Sequence, residues 1–217
     1  MDSHKNTKSR KRSVATKTRK RETKNGRHEN TKARNGKQAT KTRKRETNNS
    51  AKTQGDHDVI RLEQFSRVGV ISDTHGLLRP EAVESLRGCG LIVHAGDVGD
   101  AAVLDQLRLI APTVAVRGNV DTGVWAKALP LTRTVRIGDL RLFVVHELSR
   151  LSIDPHASGF AAVIFGHSHR PSTEVKDGVL YLNPGAAGPR RFSLPITLAT
   201  LSIVNQRLAH EIVTLHV

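Results

Sequence analysis

Two carboxylates, one carboxamide and four imidazoles stand in short polar motifs, each closing an apolar run. They are Asp73-Thr74-His75, Gly96-Asp97, Gly118-Asn119, His146 and Gly166-His167-Ser168-His169. This donor set suits a pair of divalent metal ions, and a metal pair is well suited to bringing a hydroxide to phosphorus. A carboxylate such as Asp97 has two oxygens and can bridge two cations. The amide oxygen of Asn119 is a neutral hard ligand. With no cysteine among the candidates, the mixture fits manganese, iron, cobalt, nickel or zinc rather than a soft-ligand site. Each motif alone is weak, because a single histidine is more often a hydrogen-bonded structural residue.

The elements that must place these motifs are legible in the pattern. Arg67–Ser72 is a short apolar run, expected as a buried strand. Arg79–Arg87 reads as a helix, with Pro80 in its first turn and Gly88 beyond its end. Leu91–His94 follows as a strand, Asp100–Ile110 as a helix capped by Asp100, and Thr113–Arg117 as a third strand. That rhythm predicts a right-handed parallel α/β unit. Further on, Arg133–Ile137 and Leu140–His146 flank Gly138-Asp139, and Thr173–Lys176 and Val179–Asn183 flank Asp177-Gly178, two hairpin signals. Ala161–Phe165 reads as a buried strand, and Ile196–Val204 and Leu208–Leu215 as a final pair around Asn205-Gln206. The expected fold is α/β, a two-sheet α/β sandwich of mixed sheets flanked by helices. Asp73 and His75, two apart just past a strand, would point to one side if the extended backbone persisted. Ligands of open α/β sheets collect at such strand ends.

Charge divides the 217 residues sharply. Residues 1–57 hold 19 Lys and Arg against 5 Asp and Glu, a balance of +14 that leaves +1 of the total +15 for residues 58–217. The first segment has no Leu, Ile, Phe, Trp or Tyr, so it cannot bury enough apolar surface to offset its ordering entropy. It is expected to be a disordered basic tail, 1–57, ahead of one domain, 58–217. Ala15–Thr23 and Ala39–Thr47 repeat the sequence ATKTRKRET. Such a tail is a candidate for nonspecific nucleic-acid binding through phosphate neutralisation. The alternatives are a solvated extension without a specific partner, or a start site placed too far upstream. It carries no aromatic residue for base stacking.

One cysteine, Cys89, excludes an internal disulfide framework and a thiolate cluster, and suits a reducing compartment. No stretch is apolar and long enough to span a membrane, and the basic N-terminus lacks the apolar core of a secretory signal. The expectation is a cytoplasmic protein with no membrane partner. Its oligomeric state is open, a dimer included.

The ordered series Asp-x-His, Gly-Asp, Gly-Asn, His, Gly-His-x-His resembles the calcineurin-like metallophosphoesterase superfamily over about residues 65–217. Asp121 after Gly-Asn, and Asn183-Pro184-Gly185 followed by Pro189-Arg190, resemble its small prokaryotic phosphodiesterase branch. The resemblance implies a dinuclear metal-dependent phosphoesterase, a phosphodiesterase first. A metal-bridging hydroxide would attack phosphorus in line. It implies Asp73, His75 and His169 on one metal, Asn119, His146 and His167 on the other, and Asp97 bridging both. Manganese is the first choice. Asp97, Asn119 and Asp121 are the residues expected at the catalytic, substrate side. Two divalent cations set against two carboxylates and a hydroxide leave a charge of about +1, which favours a phosphodiester monoanion as substrate.

Three positions depart from the pattern. Val120 stands where many members carry a histidine, which leaves the leaving-group acid unassigned and favours activated esters. Glu147 follows His146 where glycine is usual; it either burdens the second metal with negative charge or points away. Ala186 replaces a serine after Asn183-Pro184-Gly185. His94 reads as a supporting or structural residue, and His210 and His216 as edge residues. Cys89, Trp125 and Tyr181 read as packing residues, and Arg190 and Arg191 as surface charge before substrate steering. Two other functions remain: a nuclease or RNA-processing enzyme served by the basic tail, and a non-catalytic metal-binding scaffold such as the retromer subunit of this fold. The occupied ligand positions disfavour the scaffold.

Overall fold

The computed structural model describes residues 60–62, 67–204 and 207–217. The expectation of a disordered tail, the turn at 205–206 and residues 63–66 lie outside the described residues. In chain order the elements are β1 (Ile60–Leu62), β2 (Arg67–Ile71), α1 (Pro80–Leu86), β3 (Leu91–His94), α2 (Ala101–Arg108), β4 (Thr113–Ala115) and α3 (Gly123–Lys127). They continue as β5 (Thr132–Ile137), β6 (Leu140–Val145), a 3-10 turn at Leu148–Arg150, β7 (Ala162–Ile164), β8 (Ser172–Lys176), β9 (Val179–Asn183), β10 (Thr197–Val204) and β11 (Arg207–Thr214).

Two mixed sheets result. One has the order β11-β10-β2-β3-β4, the other β1-β5-β6-β7-β9-β8. In the first, β2, β3 and β4 are parallel, joined through α1 and α2, and β10 runs antiparallel to β2. In the second, β6, β7 and β9 are parallel, and the hairpins β5–β6 and β8–β9 are antiparallel. Pairing within β2–β3 sets Ile71 beside His94, so the chain leaves both strands at the same end of the sheet.

The alternation within each strand explains the sandwich. Val68 and Val70 of β2, Leu91 and Val93 of β3, and Leu142 and Val144 of β6 face one shared core, with Val135, Ile164 and Leu182 from the second sheet. Ile71, Ile92 and Leu198 point the other way and pack under Ala82 and Leu86 of α1 and Val103, Leu104 and Leu107 of α2. Gly69 permits that close approach: a Cβ there would overlap Leu86 and lie 3.3 Å from Cys89 Sγ. Asp100 caps α2 by accepting from Ala102 N at 2.9 Å, and Pro80 starts α1. The outer face of the second sheet is covered by the 148–160 segment rather than by a long helix. Phe160 packs edge-on against Phe143 at 5.3 Å between centroids.

The sequence pattern misses β1 and α3, and sets several strand ends a residue or two too far. α3 has five residues, starts at Gly123 with φ 87°, and has no side-chain cap, so it carries no periodic signal. β4 stops at Ala115 although Val116 N still donates to His94 O at 3.1 Å.

Candidate metal centre

The strand ends deliver the polar motifs through strained loops. Seven non-glycine residues among those described have positive φ, and five are Asp73, His75, Asp97, His167 and His169. Left-handed backbone is costly for such residues and persists where surrounding contacts over-determine it. This corrects the expectation that extended geometry turns Asp73 and His75 to one side: at φ 54° and 46° neither is extended. A ladder of loop hydrogen bonds holds them instead. Asp73 N donates to Gly96 O at 3.0 Å, His75 N to Asp97 O at 3.0 Å and Gly76 N to Val98 O at 2.7 Å.

Six of the seven expected ligands meet in two groups of three, and Asp97 joins the two halves. In one half, His75 Nε2 and His169 Nε2 are 3.2 Å apart, and Asp73 Oδ1 is 3.3 Å from His169 Nε2 and 3.9 Å from His75 Nε2. In the other, Asn119 Oδ1 is 3.0 Å from both His146 Nε2 and His167 Nδ1. Asp97 turns Oδ2 toward His75, at 4.0 Å, and Oδ1 toward His146, at 3.3 Å. Ligand atoms of Asp73, His75 and His169, and of Asp73, Asp97 and His146, lie within 4.8 Å of one another.

These residues fit metal ions on structural grounds. Asp73 Oδ1 is buried with no hydrogen-bond partner among the described residues, while Oδ2 accepts from Ser72 Oγ at 2.7 Å and His167 N at 3.1 Å. One oxygen is held and the other is aimed at the convergence point. His146 Nδ1 donates to Ala95 O at 2.7 Å, which turns Nε2 toward the centre. An orphaned buried oxygen facing imidazole nitrogens is costly unless a cation satisfies it.

Electrostatics without a cation show the same demand. Burial raises the Asp73 carboxyl to about 6 against the lowering effect of Ser72. Burial lowers His75 and takes His169 down to about 4. Burial also pushes against charge on His146 and Asp97. The bond between them outweighs it, so His146 is raised and Asp97 lowered, as an ion pair that a cation would replace.

The supporting shell was only partly visible in the sequence. His94 is fully buried, and burial takes its imidazole down to about 3. It accepts from Gly96 N at Nδ1, which leaves Nε2 to donate to Thr74 Oγ1 at 2.9 Å; Thr74 in turn donates to Val98 O at 2.9 Å. Asp121 is buried, and its two oxygens accept from Gly99 N and Gly118 N, both at 2.8 Å. It ties the loops at Gly99 and Gly118 together. Asn183 donates to Gly166 O at 2.8 Å and Ser168 Oγ at 3.1 Å, holding the His167–His169 loop. Thr197 Oγ1 donates to Pro184 O at 2.7 Å and ties the loop before Ala186 to β10. Glu147 accepts from Ser149 Oγ at 2.6 Å and Arg150 Nε at 3.0 Å, so its charge is engaged beside the centre. It lines, with Arg117, Leu131 and Arg150, a cavity of about 130 Å³ that opens on Asn119 and His146.

Comparison with known proteins places the chain in a family. The calcineurin-like phosphoesterase superfamily domain matches residues 67–206. A probable metallophosphoesterase of Methanocaldococcus jannaschii is 35% identical over 132 residues, 55% of this chain and 67% of that one. Another, of Methanothermobacter thermautotrophicus, is 32% identical over 161 residues, 67% and 91% of the two chains. A solved structure described as a novel archaeal phosphodiesterase superposes with a TM-score of 0.57 at 25% identity, covering 68% of this chain and 99% of that one.

Proposed function

This chain belongs to the calcineurin-like phosphoesterase superfamily, and from that premise we propose that it hydrolyses phosphodiesters with a pair of divalent metal ions, manganese first. The observation that carries the reading is Asp97, which presents one oxygen to each half of the donor cluster. Asp73, His75 and His169 would hold one ion, and Asn119, His146 and His167 the other. Such a pair supplies an acidified water as nucleophile and a counter-charge for the phosphoryl oxygens.

The chain's own residues do the rest. Ser72 and the His167 amide fix the Asp73 carboxylate, and the Ala95 carbonyl fixes the ring of His146. Asp121 and the Val120 amide, which donates to Asp97 Oδ1 at 3.0 Å, set the loop that carries Asn119. Val120 itself is a poor proton donor, so esters with good leaving groups should react fastest. The described helices include none long and apolar enough to cross a membrane. The phosphodiesterase described among the solved structures supports the diester preference, and the complete donor set argues against a scaffold.

Metal binding itself tests the assignment. After chelation, the protein is expected to take up two equivalents of Mn²⁺ near neutral pH. Below about pH 6 a metal must displace the proton that burial places on Asp73. His146, raised by its bond to Asp97, gives up a proton to a metal at higher pH still, so affinity in calorimetry should already weaken as pH drops through neutrality and fall further below about 6. One equivalent at saturation, or an affinity that rises on acidification, would refute the assignment.

A further inference from the structure

The end of β4 and one end of the β5–β6 hairpin enclose a cavity beside the Asn119 half of the donor cluster. Arg117 N donates to Pro130 O at 2.8 Å, which ties the chain after β4 to the start of β5. Thr132 pairs with Val145, so Leu131 and His146 leave the hairpin at the same end. The cavity there measures about 130 Å³, and Asn119, His146, Leu131, Thr132, Val145 and Glu147 are among its walls. Two expected metal ligands therefore form part of its lining.

Several polar groups of the lining are already engaged with the protein itself. Glu147 accepts from Ser149 Oγ at 2.6 Å and Arg150 Nε at 3.0 Å, and Gly118 N donates to Asp121 Oδ2 at 2.8 Å. The apolar part of the lining is not all covered. Val145 is 1% exposed, but Leu131 is 49% exposed. A ligand that enters gains by covering that surface, the usual driving force in small-molecule pockets. The volume is close to that of an apolar protein cavity of about 150 Å³ that holds benzene.

We infer that this cavity seats one substituent of the phosphodiester, a compact apolar group about the size of a phenyl ring, packed on Leu131 while the phosphoryl group lies against Asn119 and His146. This rests on the phosphodiester reading above. Asn119 Oδ1 and His146 Nε2 meet at 3.0 Å in the donor cluster, and the same two residues line the cavity. A phosphoryl group held at that half of the centre has the opening beside it. A diester carries two substituents, and the cavity has volume for one ring. The apolar volume of that one substituent then selects the substrate.

The test is calorimetry on the Mn²⁺-loaded full chain with methylphosphonate, phenylphosphonate and cyclohexylphosphonate, whose P–C bonds resist hydrolysis. Phenylphosphonate should bind tighter than methylphosphonate by roughly 10-fold, from the extra apolar area covered. Cyclohexylphosphonate should match phenylphosphonate, because apolar volume rather than a π-face is recognised. Leu131→Ala and Leu131→Ser should lose most of that advantage, and Leu131→Met should keep it. Methylphosphonate, which has no ring to seat, should bind all of these proteins alike. Leu109→Ala removes an 87% exposed leucine at the end of α2 and should change no affinity. Equal affinity for the three phosphonates, a phenyl advantage that cyclohexyl does not share, or a ring advantage that survives Leu131→Ala would overturn the seat. Ring-selective binding in a protein that hydrolyses no phosphoester would defeat the hydrolase reading and leave the seat standing. Metal-dependent diester hydrolysis without ring-selective binding would do the reverse.

Discussion

Asp97→Ala is expected to abolish hydrolysis and to weaken binding of both metals by more than about 100-fold, beyond the 10- to 100-fold effect typical of outer-shell partners. The reason is geometric. Among the described residues, Asp97 turns its two oxygens to the two halves, Oδ2 toward His75 at 4.0 Å and Oδ1 toward His146 at 3.3 Å. Removing the side chain takes a ligand and a negative charge from both. It also frees Val120 N, which donates to Oδ1 at 3.0 Å, so the Asn119 loop loses its register. Asp97→Asn, which keeps the shape and one neutral oxygen, should retain some metal with much less activity. Full activity or two tightly bound equivalents in Asp97→Ala would break the bridging assignment.

Gly118→Ala should be nearly as damaging without replacing any ligand. The position does not have the positive φ that glycine tolerates, so the effect is purely steric. A Cβ there would overlap Asp97 N and Oδ1 and lie 2.8 Å from Asp97 Cα. Two of those atoms are backbone in a loop pinned by Asp73 and His75, so the carboxylate must shift. A displacement of about 1 Å at a catalytic group can cost on the order of 100-fold in rate. Overpacking of this kind also costs about 1–3 kcal/mol of stability, so a lower thermal midpoint should accompany it. Gly138→Ala is the matched control. It lies in the β5–β6 turn at φ 56° with nothing within 4 Å of a new Cβ, so it strains the backbone and leaves the centre alone. Normal kcat/KM in Gly118→Ala would mean that Asp97 tolerates movement and that the strand-end packing is not what places it.

The candidate ligands were legible because metal chemistry restricts residue type at every position. Asp73, His75, Asp97, Asn119, His146, His167 and His169 stand in an order that few other demands would produce. The strands were legible because each is a run of apolar residues between polar or glycine punctuation, as in Leu91–His94. What the sequence hid was conformation and partnership. Positive φ at Asp73 and Asp97 leaves no local mark, since only the packed loops impose it. The bonds of Asp121 to Gly99 and Gly118, from different loops, leave no mark in the sequence. Glu147 reads as a threat to the second metal until Ser149 and Arg150 are found engaging it. Each of these depends on contacts between segments far apart in the chain, or on a backbone angle that no residue pattern encodes.

The most direct test of the central claim is hydrolysis of bis(p-nitrophenyl) phosphate and p-nitrophenyl phosphate by the chelated protein. Mn²⁺ would be returned in steps from zero to three equivalents. The expected result is no activity without metal, little after one equivalent, full activity after two, and a clear preference for the diester. Full diester cleavage in the metal-free protein, or no cleavage with two equivalents bound, would contradict it.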